Sequence, residues 1–155
     1  MIKFSDVYVQ TVARGLFHPG EQFMAACAAS YQSFFTFNIP FFRHAYLLIA
    51  TSERLIVVDH RKGLFYDRMD RVESYPWSAI GSLKVGGIFA KKVVVKDTAN
   101  RVVLKAKAPG FLAPIANNSS AARALVHAWE QGRALGAAPA YAALPAQQQG
   151  FVATA

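Results

Sequence analysis

AYLLIATSERLIVVDH, residues 45–60, holds two apolar runs, Tyr46 to Ala50 and Leu55 to Val58, separated by the polar turn TSER. Each run is too short for a helix of ordinary length, and the second is rich in Val and Ile, whose branched side chains suit a pleated surface. The pattern is a β-hairpin. Thr51 suits the strand end, where its hydroxyl can bond the turn backbone, and Arg54 has Glu53 and Asp59 as nearby partners. Both residues are expected to fix the hairpin tip rather than to meet a ligand.

More strand signals follow. Arg61, Lys62 and Gly63 make a second turn, and LFYDRMDRVESYPW supplies a further strand or two. Ile80 to Val85 is a short strand ended by the Gly86-Gly87 pair. Lys91 to Lys96 and Arg101 to Lys107 are two more, joined by Asp97-Thr98-Ala99-Asn100, whose Asp and Asn can bond their own backbone. Upstream, Glu21 to Tyr31 is small and apolar and fits strand or helix; the hairpin after it favours strand. Glu21 itself reads as a register-setting partner for a backbone amide or an arginine. In the first twenty residues Val7, Val9, Val12, Ala13, Leu16 and Phe17 fit a short helix imperfectly, stopped by HPG at 18–20.

The period changes after residue 117. Asn118-Ser119-Ser120 can cap a helix of about 119–135, with Ala121, Leu125, Val126, Trp129 and Leu135 at roughly helical spacing and Gly136 as its stop. Leu125, Val126 and Trp129 are expected to plug the open side of a bent sheet. The fold class is therefore mainly β: a barrel of six or seven antiparallel strands closed by one C-terminal helix. Residues 1–136 form the domain with a short N-terminal extension, and 137–155, rich in Ala, Pro and Gln without charge, form a tail.

This order resembles the pleckstrin-homology (PH) superfamily, in particular its small bacterial PH-like domains. LLIATSERLIVVD at 47–59 is similar to the family's strand, Thr-x-x-Arg-Leu, strand hairpin; YPWSAIGSLKV at 75–85 is similar to its step into the middle strands; and LFHPGEQFM at 16–24 is similar to its lead-in. The resemblance spans about residues 16–135. It implies a PH-like barrel that works by contact. Phosphoinositide-binding members carry a basic signature over their first two strands, whereas here Glu21 to Phe42 has neither Lys nor Arg.

Composition narrows the function. A chain of 155 residues can bury a core without staples. The single cysteine, Cys27, cannot form an internal disulfide and reads as a small buried hydrophobe. Seventeen Lys and Arg against nine Asp and Glu leave a net charge of +8, which favours anionic partners. MIKFSDVYVQ has no signal-peptide pattern, and a cytoplasmic location, peripheral to the inner membrane face, is expected. No histidine pair has metal-ligand spacing and no serine sits in a nucleophile elbow. KVGGIFAKK at 84–92 lacks the order of a phosphate-binding loop, and Asp67, Asp70 and Glu73 alternate with Arg68 and Arg71, as in internal salt pairing. No enzyme activity, cofactor, metal or small-molecule substrate is expected.

Two surfaces are candidates for contact. SFFTFNIPFFRH at 33–44 places Phe34, Phe35, Phe37, Phe41, Phe42 and Arg43 between the first two strands. These aromatics either extend the core, form an interface with a protein partner or a second copy, or dip into a membrane. The second is an anion face. Alternation puts Lys92 and Lys96 on one side of their strand, opposite to Lys91, Val93 and Val95, with Arg101, Lys105 and Lys107 on the neighbouring strand. The leading expectation is a module for protein contact or self-association. Binding to anionic membrane lipids is the alternative, and nucleic acid comes third because aromatic and basic residues are not interleaved.

Overall fold

The computed structural model describes residues 6–31, 44–62, 67–110 and 117–137. An 11-residue helix, α1 (Asp6–Leu16), precedes strands β1 (Phe23–Tyr31), β2 (His44–Thr51), β3 (Arg54–Lys62) and β4 (Asp67–Pro76). A single 3-10 turn, Trp77–Ala79, leads to β5 (Ile80–Gly86), β6 (Ala90–Asp97) and β7 (Val102–Pro109), and α2 (Asn118–Ala137) ends the described chain. All seven strands form one sheet in the order β4-β3-β2-β1-β7-β6-β5, antiparallel at every pairing. The fold is mainly β with one C-terminal helix, as the hairpin series indicated. The expected barrel is realised as an open sheet, since β4 and β5 stand at its two ends without pairing.

The sheet is two meanders joined at a thin seam. Among the described residues, β1 and β2 pair along eight positions, whereas β1 and β7 share the one pair Ser30↔Lys107. α2 lies on the inner face, where Leu125 and Ala122 meet Cys27, Leu48, Val57, Leu83, Val95 and Leu104 in one core. Residues from both meanders join this core, so the sheet curls around the helix. A second core lies on the opposite face, where Val9 and Ala13 of α1 cover Ala26, Ala28, Leu47, Ile49, Ile56 and Val58.

Burial on both faces accounts for two features of the sequence. β2 and β3 show unbroken apolar runs because Leu47 and Ile49 face α1 while Leu48 and Ala50 face the core under α2. β1 is AACAAS because a strand sandwiched between two helices must be thin: Ala25, Cys27 and Ala29 face one way, Ala26 and Ala28 the other. Strand is thus the correct reading of Glu21 to Tyr31, from Phe23 onward.

The inner core centres on an aromatic that periodicity did not single out. Trp77 is 2% exposed, and its Nε1 donates to Thr51 O at 2.9 Å. Gly132 of α2 passes so near that a Cβ there would lie 2.0 Å from Trp77 Cδ1, so only glycine lets the helix seat. Leu125 is fully buried, and Val126 and Trp129 are half-buried against the core, as expected of the plug. Trp129 Nε1 donates to Ile80 O, and the Arg133 guanidinium lies 5.2 Å from the Trp129 ring centroid. Leu135 is 68% exposed and takes no part in the core. The helix also runs one residue past its expected stop at Gly136.

Asn118 corrects a further expectation. Its side chain does not cap α2; Asn117 O accepts from the amides of Ser120 and Ala121 at the helix start. Asn118 instead points into the seam. Its Oδ1 accepts from Ala28 N (2.7 Å), and its Nδ2 donates to Ala28 O (2.9 Å) and Pro109 O (2.8 Å). One buried amide therefore bridges β1 and β7 at Ala28 and Pro109, two described residues that no ladder pair joins.

Candidate functional site

The outer face of β5–β7 carries the charge. Along β6, Lys91, Val93 and Val95 are buried, whereas Lys92 is exposed and Val94 and Lys96 are partly so, which is the alternation the sequence shows. On β7 the buried set is Leu104, Ala106 and Ala108, leaving Lys105 and Lys107 outside. β5 adds Lys84, an exposed position that sequence alternation had not joined to the others.

Register turns these positions into a patch. Lys92 pairs directly with Lys107 and, on its other side, with Gly86; Val94 pairs with Lys105 and with Lys84. Four lysines thus surround Val94 in two adjacent rows. None of the four has an ion-pair or hydrogen-bond partner among the described residues, and Asp97 is the only acid from residue 80 to 110. Like charges placed directly across strands oppose folding.

The other two expected members of the anion face sit at the β6–β7 turn. Arg101 precedes β7 rather than lying on it, and its backbone N and Nε donate to Asp97 Oδ1 and Oδ2, both at 2.8 Å. These bonds, led by that from the Arg101 amide, hold the Asp97 carboxyl below its usual range. Lys96 Nζ donates to Asn100 Oδ1 at 2.9 Å. A bulge between Val95 and Lys96 shifts the register here, and both Val102 and Val103 are exposed as a result. Lys96 and Arg101 therefore secure the turn, while Lys84, Lys92, Lys105 and Lys107 form the patch.

At the β5–β6 tip, Ile88 and Phe89 are 86% and 90% exposed. Neither the turn reading of Gly86-Gly87 nor the comparison of KVGGIFAKK with a phosphate loop singles these two residues out. The available signal was two bulky apolar residues in the middle of a turn between glycines and lysines. Gly87 has φ +109°, and a Cβ there would meet Ala90 O at 2.3 Å, so the turn requires glycine. Phe34, Phe35, Phe37, Phe41, Phe42 and Arg43 lie outside the described residues, between β1 and β2.

A second polar cluster is structural. Glu21 accepts from Thr51 Oγ1 (2.6 Å), the His18 amide (2.8 Å), and Arg54 Nε and Nη2 (both 2.9 Å), and Arg54 Nη2 also reaches Leu16 O. Burial pushes the Glu21 carboxyl up, but these bonds and the Arg54 charge outweigh it and bring it to about 2. Thr51 and Arg54 fix the hairpin tip and Glu21 partners an arginine and a backbone amide, as the sequence indicated; together they also lock the β2–β3 hairpin to the end of α1, which it did not. His18, Glu21 and Glu53 offer ligand atoms within 4.8 Å of one another. Glu21, however, already meets four donors, and the guanidinium resting on it would repel a cation. Cys27 is fully buried, which pushes its thiol up to about 12 and leaves it inert. No helix among the described residues is long and apolar enough to cross a membrane.

Seven antiparallel strands packed on one C-terminal helix are consistent with a PH-like fold. Comparison with known proteins supports the architecture and goes no further. A solved structure, the hSac2 domain from human phosphoinositide phosphatase Sac2, is similar over 85% of each chain with a TM-score of 0.54 at 8% sequence identity. At that identity the likeness concerns fold alone. No protein-family model and no curated protein matches the chain.

Proposed function

We propose that this chain is a non-enzymatic, PH-like interaction module that attaches peripherally to an anionic membrane surface through the outer face of β5–β7. The observation that carries the reading is the patch of Lys84, Lys92, Lys105 and Lys107, with Lys92 set directly against Lys107 and no acid paired with any of them among the described residues. Like charges directly opposed across the strands carry a cost, which an external anion removes. Each lysine brought to an anionic leaflet contributes about 1 kcal/mol, so four give roughly 4 kcal/mol, steeply weakened by salt. Such attachment places the protein in the cytoplasm at the inner membrane face. The expectation of a protein partner or a second copy rests on the Phe34 to Phe42 stretch, outside the described residues, so the lysine patch takes precedence. Nucleic acid fits less well: the outward positions of the three strands, Ser82, Lys84, Lys92, Val94, Lys96, Lys105 and Lys107, include no ring for base stacking, and the exposed Phe89 stands beyond them at the tip rather than interleaved with the lysines.

Pelleting with phosphatidylserine-rich vesicles at low and raised salt tests the proposal, with phosphatidylcholine vesicles as control. The parent protein should sediment with the acidic vesicles and be released by salt. Lys92→Gln, Lys105→Gln and Lys107→Gln together should abolish most of the adhesion and leave the fold intact. A parent protein that stays in the supernatant at low salt, or a triple variant that binds undiminished, refutes the reading. Titrations with single-stranded and duplex oligonucleotides run alongside; salt-sensitive binding there without vesicle binding reassigns the patch to nucleic acid.

A further inference from the structure

We infer that the β5–β6 tip, Ile88 and Phe89, is a preformed wedge that enters the acyl boundary of the same anionic bilayer, an inference that rests on the membrane reading above. Exposure alone does not carry it, since single apolar residues are common on surfaces. The backbone of the tip does. A turn that leaves water must have its carbonyls satisfied from within the protein. Here Gly87 O accepts from Lys91 Nζ, Ile88 O accepts a long second bond from the same Nζ (3.5 Å), and Phe89 O accepts from the backbone N of Gly110 (3.3 Å). The three consecutive carbonyls at the apex are thus bonded before any membrane is met. This also gives a reason for a lysine at an inward, almost fully buried position of β6: its ammonium ties the turn together from beneath.

The lysine patch stands at the right height behind the wedge. Gly86 pairs with Lys92, and Lys92 with Lys107, in the last row before the tip; Lys84, Val94 and Lys105 form the row behind it. The rows are two strand residues apart, about 7 Å. An apolar tip buried by ~5–10 Å therefore puts the first lysine row among the headgroups. The partner chemistry follows from this match: apolar depth at the apex and negative charge one row above it, which a bilayer with acidic headgroups supplies together.

Replacing Phe89→Trp places an environment-sensitive indole at the apex, read against the parent's Trp77 and Trp129. With phosphatidylserine-rich vesicles its emission should shift to the blue and be quenched by lipids brominated on their acyl chains. The double change Ile88→Ser, Phe89→Ser should weaken binding by about tenfold or more while keeping the salt dependence, because only the apolar component is lost. Both side chains are exposed, so the variant's thermal midpoint should match the parent's. Lys91→Met, which retains the aliphatic stem but frees two carbonyls, should reduce the quenching. Binding by the double serine variant equal to the parent's, with the triple glutamine variant unbound, refutes the wedge and leaves the lysine patch standing. An indole at position 89 that stays solvent-exposed on bound vesicles also refutes it. No vesicle binding by the parent overturns both proposals.

Discussion

Replacing Asn118 tests the seam between the two meanders. Its side chain is 1% exposed and bonds the backbone N and O of Ala28 and the O of Pro109. The one β1–β7 ladder pair among the described residues is Ser30↔Lys107, so the Ala28 and Pro109 groups have no ladder pairing with each other to fall back on. Asn118→Ala leaves one amide and two carbonyls unpaired. At ~1–3 kcal/mol for each buried group left without a partner, and with water restoring some of the loss, the cost is about 3 kcal/mol. That is a large share of the roughly 5–15 kcal/mol that holds an ordinary domain together. Asn118→Asp is sharper, because it preserves shape. One oxygen still accepts from Ala28 N, but the other faces two carbonyl oxygens where an NH2 group had donated. The acid must stay protonated to donate even once, so its folded pKa rises above the unfolded value of about 3.9. A raised folded pKa gives stability that is present below the unfolded pKa and lost as pH rises through the folded one. Urea denaturation of parent and variants at pH 5 and pH 8 should therefore show a larger deficit for the Asp variant at pH 8, with the Ala variant's deficit nearly constant. An Asp variant as stable as the parent at pH 8, or an Ala variant within ~0.5 kcal/mol of it, would refute the claim that Asn118 completes the seam.

Two glycines in helices should respond oppositely to alanine. Gly132→Ala drives a methyl into Trp77, which is held by its bond to Thr51 O, and overpacking of ~1–3 kcal/mol should exceed the gain in helix propensity; Gly15→Ala meets nothing within 4 Å and should stabilise by about 0.5–1 kcal/mol. Thermal midpoints of the two variants check the difference in sign. The Glu21 carboxyl lies at about 2 against an ordinary 4.5, so its contribution is present above pH 4.5 and is lost as pH falls toward 2. At 1.36 kcal/mol per pH unit this is worth roughly 3 kcal/mol, and Glu21→Gln should destabilise by about that much at pH 7 while flattening the acid limb of the stability curve.

Much of the architecture is legible in one dimension because its signals are local. The TSER turn between two apolar runs, the DTAN tip and the change of period after residue 117 each depend on residues adjacent in sequence, and each appears where expected. The inward set Lys91, Val93 and Val95 and the outward Lys92 follow from strand alternation, which survives folding wherever the pleat is regular. At the bulge between Val95 and Lys96 the alternation lapses, and the sequence carries no mark of it. The Glu21–Arg54 lock is legible in part: both residues look like turn-fixing groups, but their meeting needs the lead-in to fold against the hairpin.

What belongs to tertiary structure is whatever depends on segments far apart in the chain. That α1 covers the outer face of β1–β3 accounts for the unbroken apolar strands, yet nothing in residues 6–16 names the surface they bury. Asn118 reads as a helix cap from its neighbours; it becomes a seam only because β1, ninety positions earlier, parts from β7 beside it. The four-lysine patch arises the same way. Composition shows that positive charge is in excess, but side chains on three strands become neighbours through register, and register is set by how the strands pack on a shared core.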